Sequence, residues 1–116
     1  MTKQEKNPVA APVVKEALGG VLNVSSLVDG ATAQIHATPP VFSADSEVEL
    51  IATTSTGNSW NVSVKLTNVP FILNVLVPKE VFEKNLVPGA TTTLQYTVKT
   101  NGSSFASEHR VLTLEK

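Results

Sequence analysis

Thr91–Thr100 reads TTTLQYTVKT, followed by Asn101-Gly102 and Ser103-Ser104-Phe105. Leu94, Tyr96 and Val98 fall on one side of an extended chain, and Thr93, Gln95, Thr97 and Lys99 on the other. Successive Cβ atoms of a strand point to opposite faces, so alternation over this length marks a strand with one buried face. Asn-Gly takes the positive φ angles of a tight type I′ turn at little steric cost, which predicts a second strand folding straight back. The stretch therefore predicts a hairpin at the centre of a small antiparallel β domain. Its partner runs from Ser104 to Leu114, with Leu112 and Leu114 inward.

Just before the hairpin, Val87-Pro88-Gly89 ends the only helical candidate, Lys79–Leu86. Lys79 with Glu83 and Glu80 with Lys84 stand at i,i+4, while Val81, Phe82 and Leu86 supply an apolar side. At this length it predicts a short helical turn near 79–86. Phe71–Val77 is nearly all apolar, which predicts a strand with both faces covered, or with its ends packed under loops. Asn68–Pro70 reads as a turn. Ser59–Thr67 has Trp60, Val62, Val64 and Leu66 inward, and Glu47–Thr54 has Val48, Leu50 and Ala52 inward, with Gly57-Asn58 turning the chain between them.

Nearer the start, Ala31–Ala37 alternates with Ala33 and Ile35 inward, between a turn at Asp29-Gly30 and a stop at Pro39-Pro40. Val41–Ser46 reads as a loop with Phe42 folded back onto the core. Ala11–Lys15 reads as a short strand at a sheet edge, where proline is tolerated, and Val21–Val24 as an extended piece beyond the Gly19-Gly20 break. Residues 1–10 read as a flexible leader and 11–116 as one domain.

The chain has 116 residues, 41% hydrophobic and 16% charged, with a net charge of -1. A chain of this length buries enough surface to fold without a disulfide or a metal. The charge balance gives no basic footprint for nucleic acid, and no apolar run is long enough to insert in a membrane. With no cysteine there is no disulfide, thiolate zinc site or cysteine nucleophile. The N-terminus lacks the apolar segment of a secretory signal. This fits a cytoplasmic chain, another export route, or excision from a longer protein.

Seven to eight short strands at near-regular spacing, with almost no helix, predict an all-β fold: a two-sheet antiparallel immunoglobulin-like β-sandwich with Greek-key connections. Tyr96 lies in the penultimate strand, where such domains keep a tyrosine bonded back to the preceding corner. Trp60 is the candidate large core filler. Three stretches, APVVKEALGGVLNVSSLVDGATAQI, VLVPKEVFEKN and TTTLQYTVKTNGSSFAS with RVLTL, resemble the bacterial immunoglobulin-like modules repeated in large surface and secreted proteins of pseudomonads and related bacteria. The resemblance spans about Ala11 to Leu114. It implies a non-enzymatic module for adhesion, spacing or partner binding, secreted or at the cell surface as part of a larger assembly.

No residue set has matched catalytic roles, and no catalytic residue, cofactor or metal is expected. His36 and His109 both read as surface residues. Asp45, Glu47 and Glu49 share one face and read as a solvated row that blocks edge pairing. The alternative function is a carbohydrate-binding, lectin-like module using polar loops. Recognition by an unknown protein or glycan partner is expected from the loops Thr38–Ala44, Thr54–Ser59 and Thr100–Ser104. The candidate contacts there are Phe42, Asn58, Asn101 and Phe105. The edge strand at Ala11–Lys15 is available for self-association.

Overall fold

The computed structural model describes residues 10–37, 42, 44–67, 71–100 and 102–116. In chain order the elements are β1 (Val13–Val14), β2 (Val21–Asn23), β3 (Gly30–Ala37), β4 (Glu47–Thr54), β5 (Ser59–Lys65), β6 (Phe71–Pro78), α1 (Lys79–Glu83), β7 (Thr91–Thr100), β8 (Ser103–Ala106) and β9 (Arg110–Glu115). They form two sheets, β1-β3-β6 and β2-β9-β7-β4-β5, with β8 added beside β7. The sheets pack face to face over one apolar core. This is the strand order of an immunoglobulin-like sandwich, with β3 and β6 in one sheet and β4, β7 and β9 in the other. Among the described residues no strand stands beside β6 on its outer side.

The first two extended pieces are separated as expected where Gly19 and Gly20 both take positive φ, and they join opposite sheets. The second piece, β2, pairs with β9 in parallel, against the antiparallel expectation for every pair. One expected strand, Ser104–Leu114, is divided, which brings the strands among the described residues to nine. The last strand breaks at Ser107: β8 pairs with the far end of β7 and β9 with the near end. Ser107 bridges the gap. Its amide donates to the Tyr96 carbonyl at 2.8 Å, and its Oγ accepts from the Tyr96 amide at 2.9 Å. A serine hydroxyl thus replaces the missing ladder partner of a buried N–H, which is costly to leave unmade.

The predicted alternation is present in β3, β4 and β7. Ala33, Ile35, Val48, Leu50, Ala52, Leu94, Tyr96 and Val98 are all buried. The short helix presses Val81 and Phe82 into the core. Trp60 is not the core filler. It sits on β5, the edge of its sheet, and is half-buried, while Tyr96 and Phe82 are the largest fully buried side chains. Among the described side chains of β6, only one face is covered. Leu73, Val75 and Val77 are buried, but Ile72 and Leu76 are 48% and 50% exposed.

Gly30 opens β3 rather than forming a turn. A Cβ there would lie 2.0 Å from the Val77 carbonyl oxygen, so the residue is glycine because β6 passes too close for any side chain. Tyr96 does not make a tyrosine corner. Its hydroxyl donates to the Ala10 carbonyl at 2.7 Å, and Arg110 Nε donates to the Pro12 carbonyl at 2.9 Å. The larger sheet thereby fastens the start of the domain, and Ala10, expected in the leader, is held in place. The expected features at 1–9, at Pro39-Pro40 and at Asn68–Pro70 lie outside the described residues. Among the described residues no helix is long and apolar enough to cross a membrane.

Candidate functional site

β7 is the hub of the larger sheet, pairing with β4 on one side and with β8 and β9 on the other. Its register places Lys99 directly opposite Glu47 of β4, and Glu47 directly opposite Lys65 of β5. Ser104 of β8 faces Lys99 from the other side. The outer face therefore carries the row Lys65, Glu47, Lys99, Ser104 across four adjacent strands, all exposed. Side chains directly opposite on one face are neighbours, so Glu47 stands in register between two lysines.

This row floors a polar hollow of about 470 Å³. Asp45 lines it from the chain leading into β4, and the β7–β8 turn supplies Gly102 and Ser103. Asp45 has φ +78°, a left-handed conformation that aspartate adopts more readily than most residues. Its amide donates to the Leu66 carbonyl at 3.0 Å and the Leu66 amide to the Ser46 carbonyl at 2.8 Å, which fixes the rim to the β4–β5 pair. The hollow thus offers charges of both signs beside serine hydroxyls, on a frame held by three strand ladders. It suits a polar ligand surface that also carries both signs.

The carboxylates do not guard an edge as expected. β4 is an interior strand, and Glu49 accepts from Asn61 Nδ2 at 2.8 Å across the β4–β5 pair. Of the four predicted contact residues, Phe42 is 2% exposed and packs against the Tyr96 ring at a centroid distance of 6.2 Å. It is a core residue, because burying an aromatic ring outweighs leaving it on a loop. Asn58 does not face a ligand either. Its Nδ2 donates to the carbonyls of Val81 at 2.9 Å and Lys84 at 2.8 Å, holding the end of α1. Phe105 is half-buried against the core. Asn101 lies outside the described residues, though its neighbours Thr100 and Gly102 line the hollow. The turn was legible in the sequence. The Lys-Glu-Lys row was missed because its members are far apart in the chain and meet only through strand register.

His36 is exposed on the outer face of the smaller sheet, and His109 is exposed in the link between β8 and β9. The structure does not bring them into one site. Among the described residues no three His, Cys, Asp or Glu side chains cluster as metal ligands. Burial pushes the Tyr96 phenol up to about 12. A smaller recess of about 350 Å³ lies between residues 86–89 and the end of β9, without a comparable convergence of charge. Comparison of the chain with protein-family models, with curated proteins and with solved structures returned no match.

Proposed function

We propose that the chain is a non-enzymatic immunoglobulin-like module that acts in adhesion, spacing or partner binding within a bacterial surface or secreted protein. The sandwich is a rigid carrier, and recognition belongs to the hollow at Asp45, Glu47, Lys65 and Lys99. The observation that carries this reading is the Lys65-Glu47-Lys99 row set in register across three strands and exposed to solvent. Opposite charges held on a preordered sheet recognise a complementary polar surface at low ordering cost. The lectin-like alternative has less support. Sugar sites stack on exposed aromatic rings, and here Phe42 is in the core while Phe105 is half-buried.

Two arms test the reading. Cells displaying the chain on an inert surface scaffold are measured for adhesion to serum-protein-coated glass and to one another. Adhesion above the bare scaffold supports the module as adhesive; adhesion equal to the scaffold removes that role. The purified, labelled chain is also applied to a glycan array. Absence of signal is expected, whereas reproducible binding lost in Phe105→Ala would favour the carbohydrate-binding alternative.

A further inference from the structure

Among the described residues the outer edge of β6 is unpaired, and its hydrogen-bonding phase is fixed by two backbone bonds. The Lys79 amide donates to the Asp29 carbonyl at 3.1 Å, one step beyond the Gly30–Pro78 pair. In an antiparallel ladder the residues that exchange both bonds alternate with those that exchange none. Ala31–Val77, Ala33–Val75 and Ile35–Leu73 are therefore the bonded pairs. The other side of β3 agrees, since the Lys15 amide donates to the Thr32 carbonyl at 3.0 Å. It follows that Ile72, Asn74 and Leu76 aim their backbone N–H and C=O groups away from β3, along the open edge.

The larger sheet roofs that edge. The chain passes directly from β1 to β2, so those two edges lie on one side of the sandwich and β5 and β6 on the other. Val48, Leu50 and Ala52 of β4 are 0–1% exposed, so they are fully covered. Trp60, Val62 and Val64 of β5 pack against the same core but are only half-buried. β5 thus reaches past β6 and overhangs the place where a fourth strand would stand. A strand added to β6 would stand beneath this overhang, whereas a second sandwich would place its own larger sheet in the layer that β5 already occupies.

We propose that this notch takes an extended peptide segment from a partner, added to β6 as a further strand. Its backbone pairs with Ile72, Asn74 and Leu76, and its inward side chains cover Trp60, Val62 and Val64. The matching segment is uncharged and apolar at every second position, because β6 carries no charge and the roof is apolar. The opposite edge of the same sheet does not offer this. There β1 has two residues, and the Glu16 carboxylate already accepts from the Thr32 amide at 2.7 Å.

The probe is a soluble peptide of about ten residues alternating valine and threonine, with a lysine at each end, a length that matches one strand. Trp60 is the chain's only tryptophan and lies in the roof, so its emission reports occupancy directly. Saturable binding with a blue-shifted Trp60 emission is expected. The same peptide N-methylated at alternate amides should not bind. Asn74→Pro removes an outward N–H that β3 does not use, and Val62→Lys places a charge in the roof; each should weaken binding at least about tenfold, the cost of an unmade hydrogen bond or a buried charge. No saturable binding, equal binding of the N-methylated peptide, or no effect of either variant in a folded protein would overturn the proposal. So would a wild-type dimer in sedimentation that Asn74→Pro dissolves, since the edge would then belong to a second copy.

Discussion

The hydroxyl of Tyr96 donates to the carbonyl of Ala10 at 2.7 Å, joining the middle of β7 to the start of the domain across 86 positions of sequence. The same ring packs on Phe42 inside the core. One side chain therefore fills the sandwich, braces the loop before β4 and fastens the chain ahead of β1.

Tyr96→Phe keeps the ring and removes the bond, so it should cost about 1 kcal/mol in denaturant unfolding. The pH dependence has a definite sign. The folded phenol is raised to about 12, against about 10 in the unfolded chain. Below pH 10 both states keep the proton and the contribution is complete. Between pH 10 and 12 the unfolded state ionises first, and stability falls with rising pH. The wild type should lose on the order of 2 kcal/mol more over this window than Tyr96→Phe. Equal losses in the two proteins would show that burial of the phenol is not the cause.

Ser107→Ala tests the bridge between β8 and β9. It leaves the buried Tyr96 amide without the acceptor now at 2.9 Å. The expected loss is about 1–3 kcal/mol, the cost of an unsatisfied buried donor. Hydrogen exchange at the Tyr96 amide should accelerate together with the loss. A variant of unchanged stability and exchange would contradict the bridging role.

Asn58 links the β4–β5 turn to the end of α1 through two amide bonds. Asn58→Ala should lower stability by about 1–2 kcal/mol. Asn58→Asp should cost more than alanine, because it sets a carboxylate against two carbonyl oxygens. If aspartate proves the milder of the two in thermal unfolding, the donor role assigned to Asn58 is wrong.

Gly30→Ala should be among the most damaging single changes. The new Cβ meets the Val77 carbonyl at 2.0 Å, and the β3–β6 pair must separate to admit it. A loss on the order of 3 kcal/mol or more is expected in chemical denaturation. A loss below about 1 kcal/mol would mean that β6 passes farther away than described.

Much of the fold was legible in local pattern. The period-two rows of β3, β4 and β7 point inward as their sequences imply, because one buried face is sufficient to set such a strand. The limits were non-local. Phe71–Val77 shows no alternation, so the sequence does not distinguish an interior strand from an edge strand with exposed Ile72 and Leu76. Asp29-Gly30 has the composition of a turn, but Gly30 answers to the close passage of β6. Tyr96 reads as a corner residue until its partner, Ala10, is known. The candidate site was legible only at its turn. Glu47, Lys65 and Lys99 become neighbours through the register of three strands, and no spacing along the chain encodes that meeting.

The most direct measurement of the proposed role is adhesion by a variant with the hollow's charges inverted, Glu47→Lys with Lys65→Glu and Lys99→Glu. The central carboxylate and its two flanking ammonium groups exchange sign, so cross-strand complementarity is kept while the pattern shown to a partner is reversed. The variant should unfold within a few degrees of the wild type, as surface changes of about 0.5 kcal/mol do. Its displayed form should lose the adhesion of the wild-type module, falling to the level of the bare scaffold. Full adhesion by the folded, charge-inverted module would contradict the assignment of recognition to this hollow.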